Sequence, residues 1–176
     1  MSEQEKFKNP ANLAREYLKQ YLREGRLPQA PPDLPPEYRE QAGVFVSFKK
    51  GGQLRGCIGT VQPVRDNLAE EIAANAVSAA VRDPRFAPVG EDELDSLEVS
   101  VDVLSPMEKV KSKDELDPKK YGVLVRSGSR SGLLLPDLEG VNTVDEQLEI
   151  ALRKAGIQSN EPLQLFRFKV TRYGEK

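Results

Sequence analysis

Val44-Phe45-Val46-Ser47-Phe48-Lys49-Lys50-Gly51-Gly52-Gln53-Leu54-Arg55-Gly56-Cys57-Ile58-Gly59-Thr60 decides the fold class. Val44, Val46 and Phe48 alternate with Phe45, Ser47 and Lys49, the two-residue period of a half-buried strand. Gly51-Gly52 accepts positive φ without steric cost and predicts a tight turn. The stretch from Gln53 to Thr60 is therefore the returning strand of a hairpin. Side chains alternate across it, placing Leu54 and Ile58 on one face as core candidates. Arg55, Cys57 and Gly59 fall on the other, with the Cα atoms of Arg55 and Cys57 about 6.5–7 Å apart. Gly56 and Gly59 weaken a plain strand, which points to a bulge or to a close approach against the backbone.

Outward from the hairpin, the pattern is mixed. Asn9-Pro10 opens a helix, with Leu13, Ala14, Tyr17, Leu18, Tyr21 and Leu22 at helical spacing and Gly25 as the stop. Arg26 to Pro36 carries five prolines and is expected to be an extended strap. Asn67 to Val81 is a helix with a predicted Asn67–Glu70 capping box and an apolar stripe of Leu68, Ile72, Ala76, Ala79 and Ala80. Leu97, Val99, Val101 and Val103 alternate as a strand. Tyr121–Arg126 and Gly132–Leu135 form a second hairpin around Ser127–Ser131. Thr143 to Ala155 is a helix with a Thr143–Glu146 capping box, and Leu163 to Tyr173 is a closing strand. Helices mix with hairpins without a repeating βα unit, so the expected class is α+β with a largely antiparallel sheet.

Composition removes whole classes of chemistry. The chain has 176 residues, a formal net charge of −2, no histidine and one cysteine. Histidine-dependent nucleophilic sites are excluded, as are zinc sites built on His or several Cys. No metal, no cofactor and no phosphate-binding glycine loop is expected. The N-terminus shows no signal peptide and no membrane span is legible, and a single thiol forms no internal disulfide, so a cytoplasmic protein is expected. Interleaved charge argues against a dedicated nucleic-acid binder.

Three groups of residues carry candidate chemistry. Arg55 beside Cys57 can enrich thiolate, or can fork hydrogen bonds to a carboxylate or phosphate. The plainer readings are a cysteine that packs as a small hydrophobe and an arginine paired with a neighbouring carboxylate. Arg82-Asp83-Pro84-Arg85-Phe86 places two arginines around a helix end and a forced turn, either to favour the helix dipole or to make the Arg55 surface electropositive. Arg126 to Gly132 is a small, basic loop whose default is a solvated turn and whose sharper reading is an anion-binding loop with backbone N–H groups as donors.

These residues also carry a family resemblance. Leu54-Arg55-Gly56-Cys57-Ile58-Gly59-Thr60, Asp83-Pro84-Arg85-Phe86, Glu98-Val99-Ser100-Val101, Gly132-Leu133-Leu134-Leu135-Pro136 and Lys154-Ala155-Gly156 run in order along the chain. In them the sequence resembles the AMMECR domain family, called protein A of the AmmeMemoRadiSam system. The resemblance implies one α+β domain over residues 1–176, with a larger subdomain holding both chain ends, a smaller one, and a cleft beside the Leu54–Thr60 string. It implies a Memo-type, dioxygenase-like protein and a radical-SAM protein as company, and no assigned reaction. The expected function is a module binding a small anionic ligand or a partner through Arg55, Gly56, Gly59, Thr60, Arg82 and Arg85. An enzyme using Cys57 is the alternative, and nucleotide or RNA contact a further one.

Overall fold

The computed structural model describes Ser2, Glu5 and residues 7–175. The chain divides into two compact units. The first runs to Val103 and resumes at Thr171; the second is Leu104–Val170.

In the first unit, helix α1 spans Pro10–Glu24. The Asn9 side chain accepts from the Ala11 N–H, and Gly25 closes the helix in the left-handed region at φ 71°. Strands β1 (Val44–Lys50) and β2 (Gln53–Thr60) form the hairpin, turned by Gly51 and Gly52 at φ 58° and 77°. Helix α2 spans Leu68–Val81 and β3 spans Leu97–Leu104. The last strand, β8 (Val170–Gly174), completes a sheet of order β2-β1-β3-β8. Val44, Val46, Phe48, Val99 and Val101 form its core face together with the apolar sides of α1 and α2. The Arg26–Pro36 strap has no regular structure before a 3-10 turn at Pro36–Arg39, and its Ala30 and Leu34 pack on this core.

The second unit holds β4 (Glu108–Val110), β5 (Gly122–Ser127), β6 (Arg130–Leu134), α3 (Val144–Ala155) and β7 (Gln164–Phe168). Its sheet has the order β4-β7-β5-β6, with every pair antiparallel. Val110, Val123, Val125, Leu134, Ala151 and Ile157 form its core. The α+β class with antiparallel sheets is thus the observed architecture. No helix among the described residues is long and apolar enough to cross a membrane.

Four expectations are corrected. Leu54 is not a core residue: it is 39% exposed. The pairing runs Phe48↔Gly56 and then Lys49↔Leu54, leaving Arg55 unpaired as the extra residue of a β-bulge. The bulge breaks the two-residue alternation and moves Leu54 to the face of Lys49. The closing segment is two strands in different sheets, separated at Lys169, whose backbone N–H and C=O are held by Ser105. The second hairpin turns on Gly128-Ser129 alone, with Ser127↔Arg130 as its last pair. Asn67 caps α2 by accepting from the Glu70 N–H, without the reciprocal half of the box. At α3 the Thr143–Glu146 box is complete.

Candidate functional site

The site is built on the free edge of β2, the outermost strand of its sheet. Cys57 lies opposite Ser47, whose hydroxyl donates to the sulfur at 3.0 Å. The thiol is half-buried. On the edge side, the Asp83 carboxylate accepts the Cys57 N–H at 3.0 Å. Asp83 sits just beyond the last turn of α2, where the Asp-Pro sequence turns the chain back across the edge.

Asp83 is 4% exposed and fully engaged. It also accepts from the Arg85 Nε at 3.0 Å, Nη2 at 2.7 Å and backbone N–H at 3.1 Å. The side-chain bonds from Arg85 are the main cause that holds its carboxyl far below the usual carboxylate range, against the opposing effect of burial. Arg85 bridges back to the Cys57 C=O at 3.4 Å and lies over the Phe86 ring, while its side chain stays 56% exposed.

Arg55 is committed elsewhere. Its Nε and Nη2 form a two-pronged pair with Glu93 at 3.1 and 3.0 Å, and its Nη1 donates to the Ala87 C=O at 2.8 Å. Glu93 lies in a 3-10 helix, Glu91–Ser96, and also accepts from Lys50 Nζ and the Gly90 N–H. Arg55 above all lowers its pKa to about 2. The plainer reading of Arg55, pairing with a neighbouring carboxylate, is what the structure shows.

The glycines are explained by packing. A Cβ at Gly56 would collide with the Ala79 C=O of α2. A Cβ at Gly59 would collide with the Phe45 ring, which lies across it. Thr60 faces α2, bonding to the buried Glu71 and accepting from Asn75 Nδ2 at 3.1 Å. Glu71 further accepts the Val64 and Arg65 N–H groups, fixing the loop after β2.

Of the sequence candidates, then, the structure brings Cys57 and Arg85 together at the strand edge, with Arg82 one residue before Asp83 at the end of α2. It engages Arg55, Gly56, Gly59 and Thr60 in the fold. Arg82, at the end of α2, is exposed, and its guanidinium meets no partner among the described residues. Arg130, in the basic loop, is tied to Glu161 and the Gly156 C=O. Sequence reasoning saw Asp83 only as a turn residue and missed Glu93 altogether. A half-buried arginine demands a carboxylate, but nothing in the sequence says which one. Among the described residues no group of three or more His, Cys, Asp or Glu could hold a metal ion.

A two-unit α+β protein with a lone thiol on a carboxylate-capped strand edge is the class that fold and site define. The family model AMMECR1 matches residues 11–174, and the chain belongs to that family. A curated protein of Clostridium acetobutylicum is 57% identical over 165 residues, covering 93% of this chain. The match takes in 35% of that longer relative. A Thermotoga maritima protein is 52% identical, covering 89% of this chain and 91% of its own length. The crystal structure of an uncharacterized Pyrococcus horikoshii protein has a TM-score of 0.86 at 33% identity, covering 95% of this chain and 90% of that one.

Proposed function

We propose that the chain is a binding module whose β2 edge receives an anionic group from a small ligand or a partner protein, with Arg82 and the exposed side of Arg85 as its contacts. The carrying observation is the state of the two carboxylates at the site. A catalytic thiol without histidine needs a carboxylate or water as base. Asp83 accepts four hydrogen bonds and Glu93 four, and both are held well below the ordinary carboxylate range. Neither has the basicity to deprotonate a thiol near neutral pH. Arg82, by contrast, presents donors that meet no partner among the described residues. The Memo-type and radical-SAM proteins implied by the family resemblance are the partners to test first.

Calorimetric titration of the full chain with pyrophosphate tests the reading. Arg82→Ala is expected to weaken binding about tenfold, the loss of roughly one charge-assisted hydrogen bond. Cys57→Ser is expected to change it less than twofold. The reading fails if Cys57→Ser removes binding while Arg82→Ala leaves it intact. It also fails if iodoacetamide alkylates Cys57 much faster than it alkylates glutathione at pH 7, since that would mark an activated thiolate.

A further inference from the structure

The β2 edge has one stretch that the Asp83–Arg85 loop does not cap. The Cys57 N–H points out of the sheet, because it donates to Asp83 rather than to β1. Cys57↔Ser47 is therefore a non-hydrogen-bonded pair. Backbone direction repeats every second residue, so the N–H and C=O of Gly59, opposite Phe45, also point outward. Neither meets a partner among the described residues. With the Phe45 ring filling the space of a side chain, the edge at Gly59 is bare backbone.

This geometry discriminates between ligands. A simple anion would use the Gly59 N–H but would face its C=O, which repels it. Another peptide group satisfies both at once, as a neighbouring strand does. Two residues along the edge, about 6.5–7 Å away, stands Cys57 with the exposed guanidinium of Arg85 at its C=O. Arg82 stands next to Asp83 in the same loop. Elsewhere the edge is closed to pairing, by Asp83 and Arg85 at Cys57 and by the bulge at Arg55.

We propose that this edge takes an extended peptide segment bearing a carboxylate. Its backbone pairs with Gly59, and its carboxylate, two residues on, meets Arg85 and Arg82. The inference rests on the anion-binding reading of the same edge and names the occupant. One backbone pair and one ion pair make a weak, short recognition element, suited to millimolar probing in isolation.

The test is nuclear magnetic resonance of the ¹⁵N-labelled full chain with a blocked six-residue peptide of alternating valine and glutamate. The comparators are its valine–glutamine counterpart, the same acidic peptide with a free C-terminus, and sodium acetate. The glutamate peptide is expected to move the Gly59 amide proton downfield and to bind at least fivefold more tightly than the glutamine peptide. That preference is expected to fall in Arg82→Ala. A gain from the free C-terminus assigns the carboxylate to a chain end, and no gain assigns it to a side chain; both support the proposal. If acetate perturbs the Arg82 and Arg85 guanidinium signals but no peptide moves Gly59, the peptide inference is overturned and the anion reading stands. If neither probe moves these signals, both are overturned.

Discussion

Arg85→Ala is expected to destabilise the protein by about 3–5 kcal/mol, more than Asp83→Ala at about 2–3 kcal/mol, although Arg85 is the more exposed partner. The order follows from what each substitution leaves behind. Asp83 is 2% exposed in its side chain and Arg85 is 56% exposed. Removing Arg85 takes the two side-chain bonds from a carboxylate that stays charged, leaving only the Cys57 and residue-85 N–H groups bonded to it. Removing Asp83 leaves a guanidinium that water can solvate, together with an unsatisfied Cys57 N–H. The double variant is expected to cost less than the sum, since the under-bonded carboxylate is then absent. Urea unfolding of the four proteins at pH 7 measures the cycle. Equal losses, or a larger loss for Asp83→Ala, would show that the pair is not what closes the edge.

Acid should weaken the same region. Asp83 and Glu93 both have folded-state pKa values below their unfolded values, Glu93 at about 2. Groups depressed in this way contribute stability that is present above the unfolded pKa, near 4, and is lost as pH falls through the folded one. The loss therefore begins below about pH 5 and continues into strong acid. Asp83→Ala should flatten the fall in stability between pH 5 and pH 2, because the proton that the wild type must take up has no site.

Much of this was legible in the sequence, and the reasons are local. The period of Val44, Val46 and Phe48 and the paired glycines of the turn specify a hairpin from neighbours alone. So do the Asn9-Pro10 and Thr143–Glu146 caps, which act within one turn of helix. Leu54 was misplaced because a bulge at Arg55 is a relation between two strands, and the strand carrying it shows only a pair of weak glycines. The break at Lys169 was hidden for a similar reason. Strand propensity runs on from Leu163 to Tyr173, and only the Ser105 side chain and backbone, distant in sequence, mark where one sheet ends and the next begins. At the site, the pattern of the sequence showed which residues share one strand edge and helix end, and not which partner each side chain meets. Arg55 and Arg85 look equivalent in sequence, as does Arg82; Glu93, which takes up Arg55, lies 38 residues away, while Asp83, two residues from Arg85, is tied to the site by a Cys57 N–H 26 residues away.

Gly56 carries the sharpest contest between a binding role and a structural one. Gly56→Ala is expected to cost about 3 kcal/mol, at the top of the usual overpacking range. The added methyl would meet the Ala79 C=O, a backbone atom in a helix whose Ile72, Ala76, Ala79 and Ala80 are all buried. Such a helix cannot turn aside as a flexible side chain would, so β2 and α2 must separate. At roughly 2–4 °C per kcal/mol for a chain of this size, the melting temperature should fall by about 6–12 °C. Gly59→Ala provides the internal comparison. Its methyl would meet the Phe45 ring, a side chain able to shift, and its loss should be smaller. Gly51→Ala, in the turn at φ 58° with open space around it, should cost only about 1–2 kcal/mol of backbone strain. Circular dichroism melts of the three variants set the order Gly56, then Gly59 and Gly51. If Gly56→Ala melted with the wild type but lost pyrophosphate or peptide binding, the glycine would serve a ligand's approach, and the helix contact would be incidental. A large loss of stability with the order preserved instead makes Gly56 the seat of α2. It is then α2, held against the strand, that delivers Arg82, Asp83 and Arg85 to the edge where Cys57 lies.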